Sequence, residues 1–87
     1  MKTVSVTVIN PSGLHARPAS LLTREAAQFS STITLVTDEG EYNAKSILNV
    51  LSAGIACGTK ISIRAEGEDE DQAVEALCAA IESGLGE

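Results

Sequence analysis

The chain has 87 residues and a mass of 9.0 kDa, enough for one small domain spanning residues 1–87 that buries roughly 60% of its unfolded surface on folding. Its 44% hydrophobic content excludes plain disorder, and an aromatic complement of Phe29 and Tyr42 alone excludes recognition by stacking bases on aromatic platforms. Twelve acids against six bases, net charge −6, argue against a nucleic-acid or anionic-membrane binder.

Val4, Val6 and Val8 alternate with Thr3, Ser5 and Thr7, which predicts a half-buried strand over residues 2–9. Asn10-Pro11-Ser12-Gly13 reads as a loop. From Ala16 the period changes: Leu22, Ala26 and Phe29 fall four and three apart, one apolar face of a helix that fades at Ser30-Ser31. Ile33 and Leu35 alternate with Thr32, Thr34 and Val36 in a second strand, Asp38-Glu39-Gly40 is a turn, and Glu41-Tyr42-Asn43 is a short return strand.

Ser46 caps a short helix from Ile47 to Ser52, Asn49 reaches back to it as a weak capping-box partner, and Gly54 supplies the stop. Ile61, Ile63 and Ala65 alternate with polar residues in a fourth strand. Glu68-Asp69-Glu70-Asp71 then forms the acidic first turn of a last helix carrying Val74, Leu77 and Ile81, with Asp69 as cap. Gly84-Leu85-Gly86 reads as a fraying terminus. The order is βαββαβα, an α+β fold with helices covering one face of an antiparallel sheet.

Residues 66–87 hold eight acids and no base, whereas residues 1–65 hold six bases and four acids. The acidity therefore belongs to one end, and the remainder is slightly basic. No stretch of about 20 apolar residues could span a membrane, and the start lacks a signal peptide's apolar block. Proline disqualifies Asn10-Pro11-Ser12 as a glycosylation site. Cys57 and Cys78 read as two small buried hydrophobes, and with His15 the sole histidine no zinc set can be assembled from His and Cys. A cytoplasmic protein with no metal and no cofactor is expected.

Phosphate-binding and dinucleotide-binding glycine motifs are absent. What remains is Gly13-Leu14-His15-Ala16-Arg17-Pro18-Ala19. Pro18 suits a first helical turn, which puts His15 at the N-cap or beside it, next to unpaired backbone N–H groups that favour phosphate. Arg17 adds a planar donor for phosphate oxygens. A neutral imidazole there can attack a phosphoryl group and hold it with the anion site already built. A surface histidine in a helix-capping loop, with Arg17 merely solvated, is the bland alternative.

The Gly13–Ala19 run resembles the active-site signature of the histidine-containing phosphocarrier proteins, HPr, of the bacterial phosphoenolpyruvate-dependent sugar phosphotransferase system. Lys45-Ser46-Ile47-Leu48-Asn49-Val50-Leu51-Ser52-Ala53-Gly54 resembles that family's regulatory segment, and the likeness extends over the whole chain in length and element order. The resemblance implies an open-faced β-sandwich with strand order 1-4-2-3 and three helices on one face. It implies a general phosphocarrier whose His15 accepts a phosphoryl group at Nδ1 from phosphorylated enzyme I and donates it to IIA domains of sugar permeases, with Arg17 stabilising the phosphate. Ser46 would be phosphorylated by a dedicated kinase and released by a phosphatase, and a transcriptional regulator would be a further partner. The implied docking surface comprises Ser12, Ala16, Ser20, Arg24, Lys45, Ile47, Leu48, Leu51, Ser52 and Gly54. Arg17, Arg24 and Lys45 flank His15 and the apolar residues there; part of the trio Ile47, Leu48 and Leu51 must be core, and at least one must be exposed.

Asn49 stands where relatives often have glycine, Leu48 and Leu51 where methionine is frequent, and Ala53 where leucine is, differences that bear on partner affinity and kinase recognition. A monomer is the default. Two other readings compete: an HPr-like regulatory module that signals by its phosphorylation state without feeding transport, and a ferredoxin-like ligand-binding domain, which leaves the His15-Arg17-Pro18 run unexplained.

Overall fold

A computed structural model describes residues 1–85. The valine alternation makes Lys2–Thr7 strand β1, with Val6 buried and Val4 partly so. The strand ends two residues short of the expected boundary because the chain turns at Asn10. Val8 stays buried all the same and trades backbone hydrogen bonds with the facing segment, Val8 N–H to Thr59 O at 2.9 Å and Gly58 N–H to Val8 O at 2.7 Å.

Helix α1 runs from Ala16 to Ala27 and buries Pro18, Ala19, Leu22 and Ala26, one stripe at helical spacing. Phe29 lies past its end and is half-buried against the core. Strand β2 is Thr32–Thr37, β3 is Gly40–Asn43, α2 is Ile47–Ser52, β4 is Lys60–Glu66 and α3 is Glu70–Glu82.

The four strands lie in the order β1-β4-β2-β3, every neighbouring pair antiparallel. Strands β1 and β2 are joined through α1 with a one-strand gap, and β4 fills it, pairing Ile63 with Val4 on one side and Leu35 on the other. Ile61, Ile63 and Ala65 of β4 and Ile33 and Leu35 of β2 point to one face and are buried there beneath the helices. On the other face Arg64 pairs with Glu41 at 2.6 Å. Helix α1 packs on both α2 and α3, so the order and layering are those expected of an open-faced sandwich.

Asp69 occupies the N-cap of α3, but its carboxylate does not cap. It crosses to the α1–β2 connection, accepting from Ser30 N–H at 2.8 Å, Ser31 N–H at 2.9 Å and the Ser31 hydroxyl. The first turn is instead occupied by Glu70, which accepts from Gly67 N–H and pairs with the N-terminal ammonium at 2.9 Å.

The Ser31 hydroxyl and the two backbone donors hold the Asp69 carboxyl down from 3.8 to about 2. A group depressed in the folded state stabilises above its unfolded pKa and loses that contribution as pH falls through the folded one. The urea midpoint should therefore fall as pH drops from 3.8 towards 2. Asp69→Asn should be less stable than wild type at neutral pH, with the gap closing over that interval. Glu41 and Glu70, also lowered by their partners, act equally in both proteins, so the difference isolates Asp69.

The C-terminal end of α3 departs from the expected fraying. Gly84, at φ +89°, donates to Ile81 O and Leu85 donates to Ala80 O, the paired bonds that close a helix through a left-handed glycine. Leu85 is thereby folded back into the core at 5% exposure. Gly86 lies outside the described residues.

Candidate functional site

The segment feeding α1 is fixed by its own backbone chemistry. Asn10, 1% exposed, donates from Nδ2 to Gly13 O and accepts from Gly13 N–H at its own carbonyl, 2.9 Å away. Gly13 adopts φ +67°, and a Cβ there would stand 2.4 Å from Ile55 O and 2.8 Å from Ala56 Cα. Only glycine meets both conditions. Leu14 is buried and donates to Ile55 O at 2.8 Å.

His15 then takes the N-cap of α1 with φ −78° and ψ −170°, and its carbonyl accepts the first helical bond, from Ala19 N–H at 2.8 Å. Its exposed ring makes no capping hydrogen bond and is left for other chemistry. The N–H groups of Ala16 and Arg17 have no acceptor within the helix, and Pro18 brings none. Arg17 and Arg24 are exposed, and neither enters an ion pair among the described residues. An exposed nucleophile at a helix N-terminus, next to amides with no acceptor in the helix and two residues ahead of an exposed arginine without an ion pair among the described residues, can take up and hold a phosphoryl group.

Helix α2 lies beside α1. Ser46 caps it, its hydroxyl accepting from Asn49 N–H at 3.3 Å. Asn49 does not complete a capping box: its Oδ1 accepts from Asn43 N–H at 2.8 Å and latches α2 to the end of β3. Gly54 follows the C-cap at φ +60°. The only buried residue of the helix is Val50. Ile47, Leu48 and Leu51 are exposed by 37%, 77% and 38%, so none of them is the core residue that one or two were expected to be.

His15, Ser12, Leu14, Leu51, Gly54, Ile55 and Ala56 line one shallow open depression of about 330 Å³. Of the expected site residues, Ser12, His15, Leu51 and Gly54 meet there; Ala16 and Arg17 follow directly on the helix, and Ser20 and Arg24 continue along α1. Lys45 does not flank His15. Its Nζ donates to Phe29 O at 2.6 Å, just beyond the far end of α1, where a cation complements the helix's C-terminal carbonyls. Ser46 sits at that end too, so the exposed α2 face, Ser52 included, bridges Ser46 and the His15 depression.

Cys57 is exposed, with Sγ donating weakly to Ile9 O, which corrects its reading as a buried hydrophobe; Cys78 is buried as expected. Among the described residues no group of three or more His, Cys, Asp and Glu could hold a metal ion. No helix there is long and apolar enough to cross a membrane. Sequence reasoning left Asn10 as a generic loop residue and assigned nothing to Ile55. An asparagine three residues before a glycine was the available signal for the first; the second is a tertiary contact with no local signature.

Residues 2–83 match the family described as the PTS HPr component phosphorylation site. The phosphocarrier protein HPr of Lysinibacillus sphaericus is 48% identical over 88 residues, covering all of both chains. That of Mycoplasma capricolum subsp. capricolum is 48% identical over 77 residues, 88% of this chain and 86% of the relative. The crystal structure of HPr-C-His from Thermoanaerobacter tengcongensis superposes with a TM-score of 0.96 at 45% identity, covering 100% of this chain and 98% of that one.

Proposed function

The chain belongs to the HPr family of phosphocarriers of the phosphotransferase system, and from that premise we propose that it accepts a phosphoryl group on His15 and passes it on to sugar permeases. The observation that carries this is the uncapped, exposed imidazole at the N-terminus of α1. The Nδ1 lone pair of the neutral ring forms the bond to phosphorus as the bond to the donor, enzyme I, breaks and its electron pair returns to that donor. The other ring nitrogen keeps its proton throughout. Arg17 and the Ala16 and Arg17 amides hold the transferred oxygens.

The open depression gives the phosphoryl group no shelter of its own, and donor and acceptor can each close over it in turn. This suits a shuttle. The docking face is Ile47, Leu48 and Leu51 with Arg17 and Arg24, flanked by Ser12, Ala16, Ser20, Ser52 and Gly54; Lys45 adds its charge at the Ser46 end, with one of its ammonium protons given to Phe29 O. An apolar patch bordered by bases fits the acidic faces of enzyme I and of IIA domains. The protein acts in the cytoplasm as a single-domain monomer. In a mixture of enzyme I, phosphoenolpyruvate and a purified IIA domain, phosphate should reach the IIA domain only when this chain is added. If His15 were charged and no IIA domain discharged it, the transport role would fall and a signalling role would remain.

Ser46 is the proposed site of a regulatory kinase and phosphatase, with a transcriptional regulator as reader of the product. Ser46→Asp keeps a cap for α2 and places a negative charge where the helix dipole accepts it, so stability should change by less than about 1 kcal/mol. Transfer from enzyme I should fall by about tenfold or more, because the charge lies beside Ile47 and Leu48 on the docking face. Thermal unfolding and initial charging rates measure the two effects separately.

A further inference from the structure

The Gly13–Leu14 peptide plane stands one peptide ahead of the bond that enters His15 and is held at both ends. Its carbonyl accepts from Asn10 Nδ2, and its N–H donates to Ile55 O at 2.8 Å. The preceding N–H, that of Gly13, is also bonded to Asn10, through the Asn10 carbonyl. Asn10 thus grips Gly13 on both sides while being 1% exposed itself.

That grip has a cost. Asn10 Oδ1 is buried with no hydrogen-bond partner among the described residues. A carboxamide that leaves one of its polar atoms orphaned is an expensive way to fill space, and an aliphatic residue there would avoid the penalty. What an aliphatic residue lacks is the donor for the Gly13 carbonyl. The carboxamide's two halves point to a residue selected for its donor rather than for burial.

We propose that Asn10 is the positioning residue of the phosphoryl-transfer site: it orients the Gly13–Leu14 peptide, which sets where His15 and the open amides of α1 stand. It touches neither phosphate nor partner. The proposal rests on the phosphocarrier reading and adds to it the residue that fixes the geometry. Transfer between proteins at an open site depends on that geometry, because no pocket corrects a misplaced nucleophile.

The test uses enzyme I with this chain as the varied substrate. Asn10→Ala should lower kcat for charging His15 by about tenfold, with KM within about twofold of wild type, because the α2 docking face is untouched. Asn10→Asp keeps the shape but presents an acceptor to the Gly13 carbonyl, and should show the same split if the alanine variant is unfolded at the assay temperature. Circular dichroism establishes the folded state of each. Hydrogen exchange of the Leu14 amide in the wild-type protein, through its bond to Ile55 O, reports whether the peptide that Asn10 orients is held at all: protection comparable to core amides is expected, and exchange at the unprotected rate would overturn the proposal without any variant. An unchanged kcat in a folded variant, with wild type charging normally, would overturn it and leave the carrier reading intact. Failure of wild type to charge would remove that reading and the proposal with it.

Discussion

Replacing His15 with alanine is expected to yield a folded protein that takes up no acid-labile phosphate from enzyme I. The imidazole is exposed, makes no capping hydrogen bond and contributes nothing to the core, while the helix-starting bond from Ala19 uses the His15 carbonyl and survives the change. Stability should therefore stay within about 0.5 kcal/mol of wild type, the usual range for surface substitutions. The chemistry has no substitute, since His15 is the sole histidine and an alcohol such as Ser12 or Ser46 is a poor acceptor at neutral pH. Loss of a nucleophile costs about four or more orders of magnitude, so charging should be undetectable. Thermal unfolding with phosphate incorporation checks both halves. A variant that still charged at even a hundredth of the wild-type rate would place the acceptor elsewhere.

The second large effect is expected at Gly13, and here stability and function fall together. Gly13→Ala puts a side chain into the left-handed region, which costs roughly 1–2 kcal/mol, and drives its Cβ to 2.4 Å from the Ile55 carbonyl oxygen. Overpacking of this kind adds roughly 1–3 kcal/mol, because backbone cannot swing aside as a flexible side chain can. A loss of about 3 kcal/mol should lower Tm by more than about 10 °C in a domain of this size. Gly54 is the internal control. Its φ of +60° is nearly the same, but nothing lies within 4 Å of the added atom, so Gly54→Ala should cost only the backbone strain. Comparable losses at the two positions would contradict the close approach of the Gly13 loop to Ile55. Below its Tm, Gly13→Ala should also charge poorly, since relieving the contact moves the peptide that leads into His15.

Much of this fold was legible because the periodicities are clean. Period-two valines and isoleucines placed β1, β2 and β4, and Ser46 with Gly54 bracketed α2 at its observed ends. The Gly13–Ala19 run placed His15 at the N-cap of α1 or beside it, and it is the N-cap. Three of the misses share one cause: a side chain took a distant partner in preference to the local one. Asp69 left the cap of α3 for Ser30 and Ser31, Asn49 left Ser46 for the backbone of Asn43, and Lys45 left the His15 surroundings for the Phe29 carbonyl. Local rules rank the hydrogen bonds within a turn and are blind to those that tertiary packing brings within reach. The exposure of all three apolar residues on α2 was hidden for a related reason. A six-residue helix needs just one buried anchor, here Val50, and nothing in its own sequence says how much of the rest is covered. The strand order was a different matter: alternation shows that strands exist but not which neighbour each takes, and the order followed from family resemblance.

The most direct measurement is the intact mass of the wild-type protein after incubation with enzyme I and phosphoenolpyruvate, before and after brief acid treatment, with the modified peptide mapped. The expected result is the added mass of one phosphoryl group, lost in acid and located on His15. An unchanged mass while the same enzyme I charges an established HPr, or an added phosphate that survives acid, would contradict it.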